Sequence, residues 1–326
     1  MARRTLAALA LLVPTMAACS SSDTSPTSSS DSLVVSVALY PIAEIVQRVG
    51  GDLVEVVNLT PPGTDAHDVE LTAKQVQRLE ESDIVFYFGD DFQPSTQKAV
   101  ESLSTDAVID LFDSVELLEA KLDDHDHEHS EEEATASEEE HSHGEHDPHV
   151  WLDPANMIAM TKTVEASLTK AQPDNAETFT TNSAAYIAEL TEIGDLLDST
   201  IGPLPGQDIS RCEEDHLYTA HQGFTYLAHR AGLTLVPIAG INPDEQVSAQ
   251  YLEELAAELE GTDVTIFYES LITSSAAEAL AKSVQVKTDV LNPVEGPSQA
   301  DIDNGLTYIS AQRANIKRIA EGLRCS

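Results

Sequence analysis

Twice along this chain, short β-branched runs alternate with stretches of helical periodicity, and one long helical stretch separates the two series. That alternation restricts the fold more than any other feature, because strand, helix and strand in succession pack as parallel crossover units of an α/β protein. In the first series Leu33–Leu39, Leu53–Leu59, Ile84–Phe88 and Ala107–Leu111 read as strands. Helices are expected over Ile42–Val49, with Pro41 at a first helical position, over 73–80 behind Thr72 as N-cap, and over 95–103. In the second series the strands are His216–Ala220, Leu233–Ile238, Val264–Tyr268 and Val284–Leu291, with helices near 223–231, 248–260, 275–282 and 301–323. Between the series, 155–171 and 174–200 read as helices broken at Pro173. The second carries Phe179, Tyr186, Ile187, Leu190, Ile193, Leu196 and Leu197 near helical spacing and stops at Gly202-Pro203-Leu204-Pro205-Gly206. The expected fold class is α/β, with two parallel-sheet halves joined by a long helix.

The first residues read as an export signal. Arg3 and Arg4 precede the apolar stretch Leu6–Val13, then small residues lead to Cys19, too short a segment to span a bilayer. Met16-Ala17-Ala18-Cys19 is similar to a bacterial lipobox, in which the cysteine becomes the lipidated first residue; simple cleavage after an alanine is the alternative. The Ser-rich run that follows suits a flexible tether. Two cysteines then remain, Cys212 and Cys325, and in an oxidising compartment they are expected to form one disulfide clamping the C-terminus, with thiolate metal ligation as the weaker alternative. A net charge of −40 argues against nucleic-acid binding. Part of that charge is local: residues 123–147 hold twelve Asp or Glu, no Lys or Arg, and almost no aliphatic side chain from which to build a core.

Three histidines stand in distinct settings. His67 lies in the turn Pro61-Pro62-Gly63-Thr64-Asp65-Ala66-His67, His149 in Asp147-Pro148-His149-Val150-Trp151-Leu152-Asp153-Pro154, and His221 at the end of Leu217-Tyr218-Thr219-Ala220-His221. His67 and His221 each follow an expected strand, and open α/β sheets bind ligands at the carboxyl ends of strands. Three imidazoles on loops are what a buried Zn2+ site needs. A fourth ligand would be water or a carboxylate, with Glu295, Asp289 and Glu269 as candidates. The run of His and acid supplies six more imidazoles, His125, His127, His129, His141, His143 and His146, expected to bind further metal weakly.

These motifs resemble the metal-binding components of bacterial ABC importers for zinc or manganese, most of all the high-affinity zinc-uptake binding lipoproteins. The resemblance runs from about Leu33 to the C-terminus and rests on Gly63-Thr64-Asp65-Ala66-His67 with Glu70, on the block around Trp151, and on His221-Gln222-Gly223-Phe224-Thr225-Tyr226. Gly240-Ile241-Asn242-Pro243, Ile266-Phe267-Tyr268-Glu269 and Leu291-Asn292-Pro293-Val294-Glu295-Gly296 add to it. It departs at Ala66 and Leu71, where proline is common, and after Gly89. The resemblance implies two Rossmann-like lobes joined by one long rigid helix, with His67, His149 and His221 as ligands, Glu295 as the fourth, and Glu269 in support. The organisation expected is a signal peptide over 1–18, a tether over 19–32, a first lobe over 33–172 with a disordered His/acid-rich loop at 123–147, a linking helix over 173–202 and a second lobe over 203–326.

Three imidazoles and at most one carboxylate favour Zn2+ over the harder Mn2+. The expectation is one tight zinc site and weak sites in the loop, on a monomer held outside the cell membrane by its lipid and serving an ABC permease and its ATPase. Alternatives are a surface metal buffer or adhesin of the same fold, or a manganese-specific binder. An enzyme is not expected, because the chain has no H-E-x-x-H, G-x-S-x-G, P-loop or dinucleotide turn.

Overall fold

Among the described residues the two βα series fold into two four-stranded sheets, and every pair of their strands is parallel. The structure is a computed structural model and describes residues 32–103, 107–120, 144–206, 210–243, 247–269 and 275–326. In the first sheet β1 (Leu33–Val37), β2 (Val54–Asn58), β3 (Ile84–Tyr87) and β4 (Val108–Asp110) lie in the order β2-β1-β3-β4. In the second, β5 (His216–Thr219), β6 (Thr234–Pro237), β7 (Thr265–Glu269) and β8 (Lys287–Leu291) repeat it as β6-β5-β7-β8. Parallel sheets are covered on both faces, and β1 shows it: Val35, Ser36 and Val37 are all fully buried. The one polar member of that run shares a hydrogen bond with the Ser82 hydroxyl at 2.7 Å.

The helices are α1 (Tyr40–Gly50), α2 (Ala73–Glu80), α3 (Pro94–Glu101), α4 (Pro154–Ala171), α5 (Ala176–Thr200), α6 (Thr225–Ala231), α7 (Ala249–Leu259), α8 (Ser275–Val284), α9 (Gln299–Asp303) and α10 (Tyr308–Gly322). Their starts follow elementary rules. Pro41, Pro94 and Pro154 stand in first turns, where a missing N–H costs nothing. Thr72, Asp153, Ser248 and Thr307 accept the free N–H groups of α2, α4, α7 and α10.

The long helix is α5, 25 residues, or roughly 37 Å at the standard rise. Phe179, Tyr186, Leu190, Ile193 and Leu197 form its buried stripe, packed on α1, α4 and α10. The main core is continuous. It runs from Val35 and Ile42 through Trp151, Tyr186 and Ile193 to Leu217, Phe267 and Ile319, so one hydrophobic cluster serves both sheets. A smaller core lies where β7 meets α7 and α8, around Leu255, Leu259 and Leu280. A third holds Leu59, Leu79, Val85 and Val100 beside β3.

Two expectations need adjusting. The single helix read over 301–323 is two, because Gly305 takes a left-handed φ of 87° and Thr307 then caps a fresh start with Ser310. The low-complexity stretch was placed up to Asp147, but Gly144–Asp147 pack on the first half of the molecule. Glu119 and His146 form a β-bridge, and the Asp147 N–H donates to the Leu118 carbonyl at 2.9 Å. Among the described residues no helix is long and apolar enough to cross a membrane.

Candidate metal centre

Four elements bring four side chains together. His67 stands on the loop from β2 to α2, His149 ahead of α4, His221 just past β5 and Glu295 just past β8. Their ligand atoms all lie within 4.8 Å of one another. His149 is at the centre: its Nε2 is 3.2 Å from His67 Nε2, 3.3 Å from His221 Nε2 and 3.3 Å from Glu295 Oε1. The second carboxylate oxygen of Glu295 is 4.0 Å from His67 Nε2.

No hydrogen-bond pattern satisfies such a cluster. One N–H on His149 serves one neighbour and leaves the other lone pairs facing each other. A single cation satisfies all four, and bonds of about 2.0–2.1 Å in a tetrahedron put donors about 3.3 Å apart. Glu295 Oε1 has no hydrogen-bond partner although it is buried, as an atom aimed at a cation would be.

The rings are aimed from behind. His149 Nδ1 lies 2.9 Å from Asp147 Oδ1, which also accepts the His149 backbone N–H at 2.9 Å. Asp147 is fixed in turn: its Oδ2 accepts from the Thr225 hydroxyl at 2.6 Å and its carbonyl from the Tyr226 hydroxyl at 2.9 Å. His221 Nδ1 is paired with Glu269 Oε1. Both rings therefore turn Nε2 toward the pocket, the usual arrangement of a carboxylate behind a metal-binding histidine. His67 is held through its chain, its N–H donating to Asp65 Oδ1 at 2.9 Å, with Phe92 edge-on to its ring. Gly223 is required by close approach, since a Cβ there would come within 2.6 Å of the His221 ring.

Electrostatics separates the three rings. Burial, helped by the neighbouring imidazoles, pushes His67 down to about 3 despite Glu295. Burial opposes charge on His149 too, but Asp147 and Glu295 outweigh it and push it up to about 10. Burial likewise opposes charge on His221, and the Glu269 carboxylate raises it above the ordinary imidazole value. Glu295 is fully buried, yet His149 and His67 beside it hold it down to about 2. The pocket thus keeps an ionised carboxylate where water does not reach.

The loop bearing Glu295 carries backbone strain. Val294 is fully buried and has φ 64°, a left-handed conformation that costs a β-branched residue roughly 1–2 kcal/mol. Of the other candidates for a fourth ligand, Asp289 is outside the pocket, on β8, paired with Arg318 at 2.9 Å. Glu269 faces the back of His221 rather than the cluster.

Comparison with known proteins identifies the family of the chain. Residues 35–322 match the family described as zinc-uptake complex component A, periplasmic, ZnuA. The chain is 33% identical over 324 residues to the high-affinity zinc uptake system protein ZnuA of Bacillus subtilis, covering 98% of this chain and 96% of that one. The chain belongs to the ZnuA family. It is also 31% identical over 295 residues to the zinc-binding lipoprotein AdcA of Streptococcus pneumoniae, covering 89% of this chain but only 55% of that longer protein. The crystal structure of the Zn(II)-bound ZnuA-like domain of S. pneumoniae AdcA superposes with a TM-score of 0.71 at 29% identity, over 90% of this chain and 99% of that one.

Other residues singled out in this ZnuA-family sequence fall as follows. Cys212 and Cys325 form a disulfide, 113 positions apart, which joins the chain leading into β5 to the end of α10. His146 is pinned rather than loose: its backbone N–H and Nδ1 lie 2.9 and 3.0 Å from Asp90 Oδ2. The expected leader, Cys19, the expected tether to residue 31 and His125, His127, His129, His141 and His143 lie outside the described residues. The carboxylate behind His149 was the part that sequence reasoning missed, although Asp147 stands only two residues ahead of its histidine. Glu269, which the resemblance gave a supporting role, backs His221 from 48 positions away, a pairing that local sequence does not signal.

Proposed function

We propose that this chain captures Zn2+ outside the cytoplasm through His67, His149, His221 and Glu295 and hands it to an ABC permease. One observation carries the reading: three imidazole nitrogens and one carboxylate meet in a buried pocket with their ligand atoms within 4.8 Å of one another and three of them 3.2–3.3 Å from His149 Nε2. Nitrogen-rich donors suit Zn2+ better than Mn2+, which prefers more oxygen. Asp147 and Glu269 are both committed to orienting histidines, and Asp65 to the His67 N–H, which suits a site that holds its metal.

In this reading His67 is the way in, since its side chain, 5% exposed, is the most accessible of the three imidazoles. Lipid on Cys19 and the Ser-rich tether keep the monomer at the outer face of the cell membrane, near the permease and its ATPase. The remaining His/acid-rich residues collect metal weakly. Zinc binding requires neutral imidazoles, so capture releases protons and weakens as the medium acidifies.

The test is metal content and zinc titration of the mature protein lacking residues 1–30, beside a variant with His67, His149 and His221 all changed to Ala. One tight equivalent is expected, absent from the variant, with weaker binding retained. Tight binding that survives the three substitutions would move the site elsewhere.

A further inference from the structure

We infer that Trp151 and the strained turn at Val294 position Glu295, and so tie the fourth donor to the docking of the two halves of the molecule. The inference rests on Glu295 as a ligand. Glu295 lies on neither strand nor helix, and its loop is held at three points. On one side Asn315 of α10 forms a two-way pair with Asn292, accepting its N–H at 2.9 Å and donating to its carbonyl at 2.7 Å. The Asn292 side chain then accepts the Val294 N–H at 2.8 Å.

The other two points come from the first half of the chain. The Trp151 indole N–H donates to the Pro293 carbonyl at 2.8 Å. The Gly63 N–H lies 3.1 and 3.2 Å from the carbonyls of Gly296 and Pro297. Trp151 is itself aligned, with its ring stacked on Phe88, its carbonyl accepting from the Tyr308 hydroxyl at 2.6 Å, and the His149 ring 5.3 Å away. The residue that borders one ligand therefore holds the peptide two positions before another.

Val294 connects these anchors to function. A buried β-branched residue at φ 64° stays there only while bonds on both sides hold it. Released from the indole, the turn relaxes toward extended backbone and carries the next side chain with it. The donor set then falls from three imidazoles and a carboxylate to three imidazoles. Separation of the halves at this contact thereby loosens the metal, which is what delivery to a permease requires.

The test is a cycle of Trp151→Phe, Glu295→Ala and the double variant in the mature protein, read by zinc affinity, zinc dissociation rate and the visible spectrum of Co2+ in place of zinc. Phenylalanine keeps an aromatic ring against Phe88 and removes the donor together with the second ring of the indole, so the Glu295→Ala background is needed to tell loss of the anchor from general loss of packing. Trp151→Phe is expected to weaken zinc about tenfold, as loss of one buried hydrogen bond does, mainly through faster dissociation. Its cobalt spectrum should move toward that of Glu295→Ala, and it should add nothing when Glu295 is already Ala. Equal weakening in both backgrounds, or unchanged affinity in the first, overturns the inference. Should Trp151→Phe fold poorly, Asn315→Asp, which keeps the acceptor and loses the donor to Asn292, is read through the same cycle. Unchanged affinity and cobalt spectrum in Glu295→Ala alone would refute the ligand assignment, a result distinct from the others.

Discussion

His221 depends on a residue that ligates nothing. A methyl group at position 223 would lie 2.6 Å from its Cε1 and Nε2, and the ring, pinned behind by Glu269, has no free rotation to escape. Gly223→Ala should therefore weaken zinc at least about tenfold, since a site displaced by the order of 1 Å loses its geometry, while leaving the circular dichroism unchanged. Zinc titration at wild-type affinity would show that the ring has room to move. At this scale the sequence was legible for the imidazoles and less so for the acids. His67, His149 and His221 stand in unusual local settings that can be read from neighbours in the chain. Glu295, Glu269 and Asp289 could not be ranked by local sequence, because their roles depend on where each carboxylate points after two sheets have come together. One faces the cluster, one backs His221 and one pairs with Arg318.

Between elements, α1, α5 and α10 meet at a single buried carboxylate. Glu44 of α1 accepts the first N–H of α10, from Tyr308, at 2.6 Å, the Tyr40 hydroxyl at 3.0 Å and the Tyr186 hydroxyl of α5 at 3.4 Å. Burial raises its pKa even against these bonds and the nearby Arg48. A carboxyl with a raised folded pKa holds its proton more tightly folded than unfolded. Its contribution is fully present below the unfolded value, about 4.3, and is lost as pH rises through the folded one. Glu44→Gln removes that titration. The stability of the wild type relative to Glu44→Gln should thus fall as the pH rises above about 4.3, measured as urea midpoints in chelator. A difference independent of pH would mean that the Glu44 pKa is not raised by folding. The strands and most helices were legible because each is local: β-branched runs, first-turn prolines and caps such as Thr72 lie within the element they define. The break between α9 and α10 was less so, since Gly305 inside an apolar periodicity competes with that periodicity, and the Thr307 cap that decides it gains its value from α10 docking on Glu44.

For the whole molecule, the two halves share the main core and one pocket, and the acidic segment is inserted within the first half, ahead of α4. The ends of that segment are fastened side by side. The Ala120 N–H donates to the Glu145 carbonyl at 3.1 Å, Glu119 bridges His146, and His146 is bound to Asp90. The next residue is Asp147, which aims His149. The boundary therefore matters. Removing residues 121–143 and joining Ala120 to Gly144 through a short Gly-Ser turn leaves every one of these fastenings in place. Extending the cut through His146 removes the strut that positions Asp147. Loop closure of this kind depends only weakly on length, so the shorter deletion should fold with a thermal midpoint near that of the parent. It should also keep one tight zinc equivalent and lose only weak extra binding, since His125, His127, His129, His141 and His143 go with it. The cut through His146 should weaken the tight site as well, through His149. Isothermal titration of both deletions beside the parent separates the outcomes. If the shorter deletion loses the tight site, the acidic segment takes part in primary capture. If the longer one binds as the parent does, His146 and its pairing with Asp90 have no part in aiming His149.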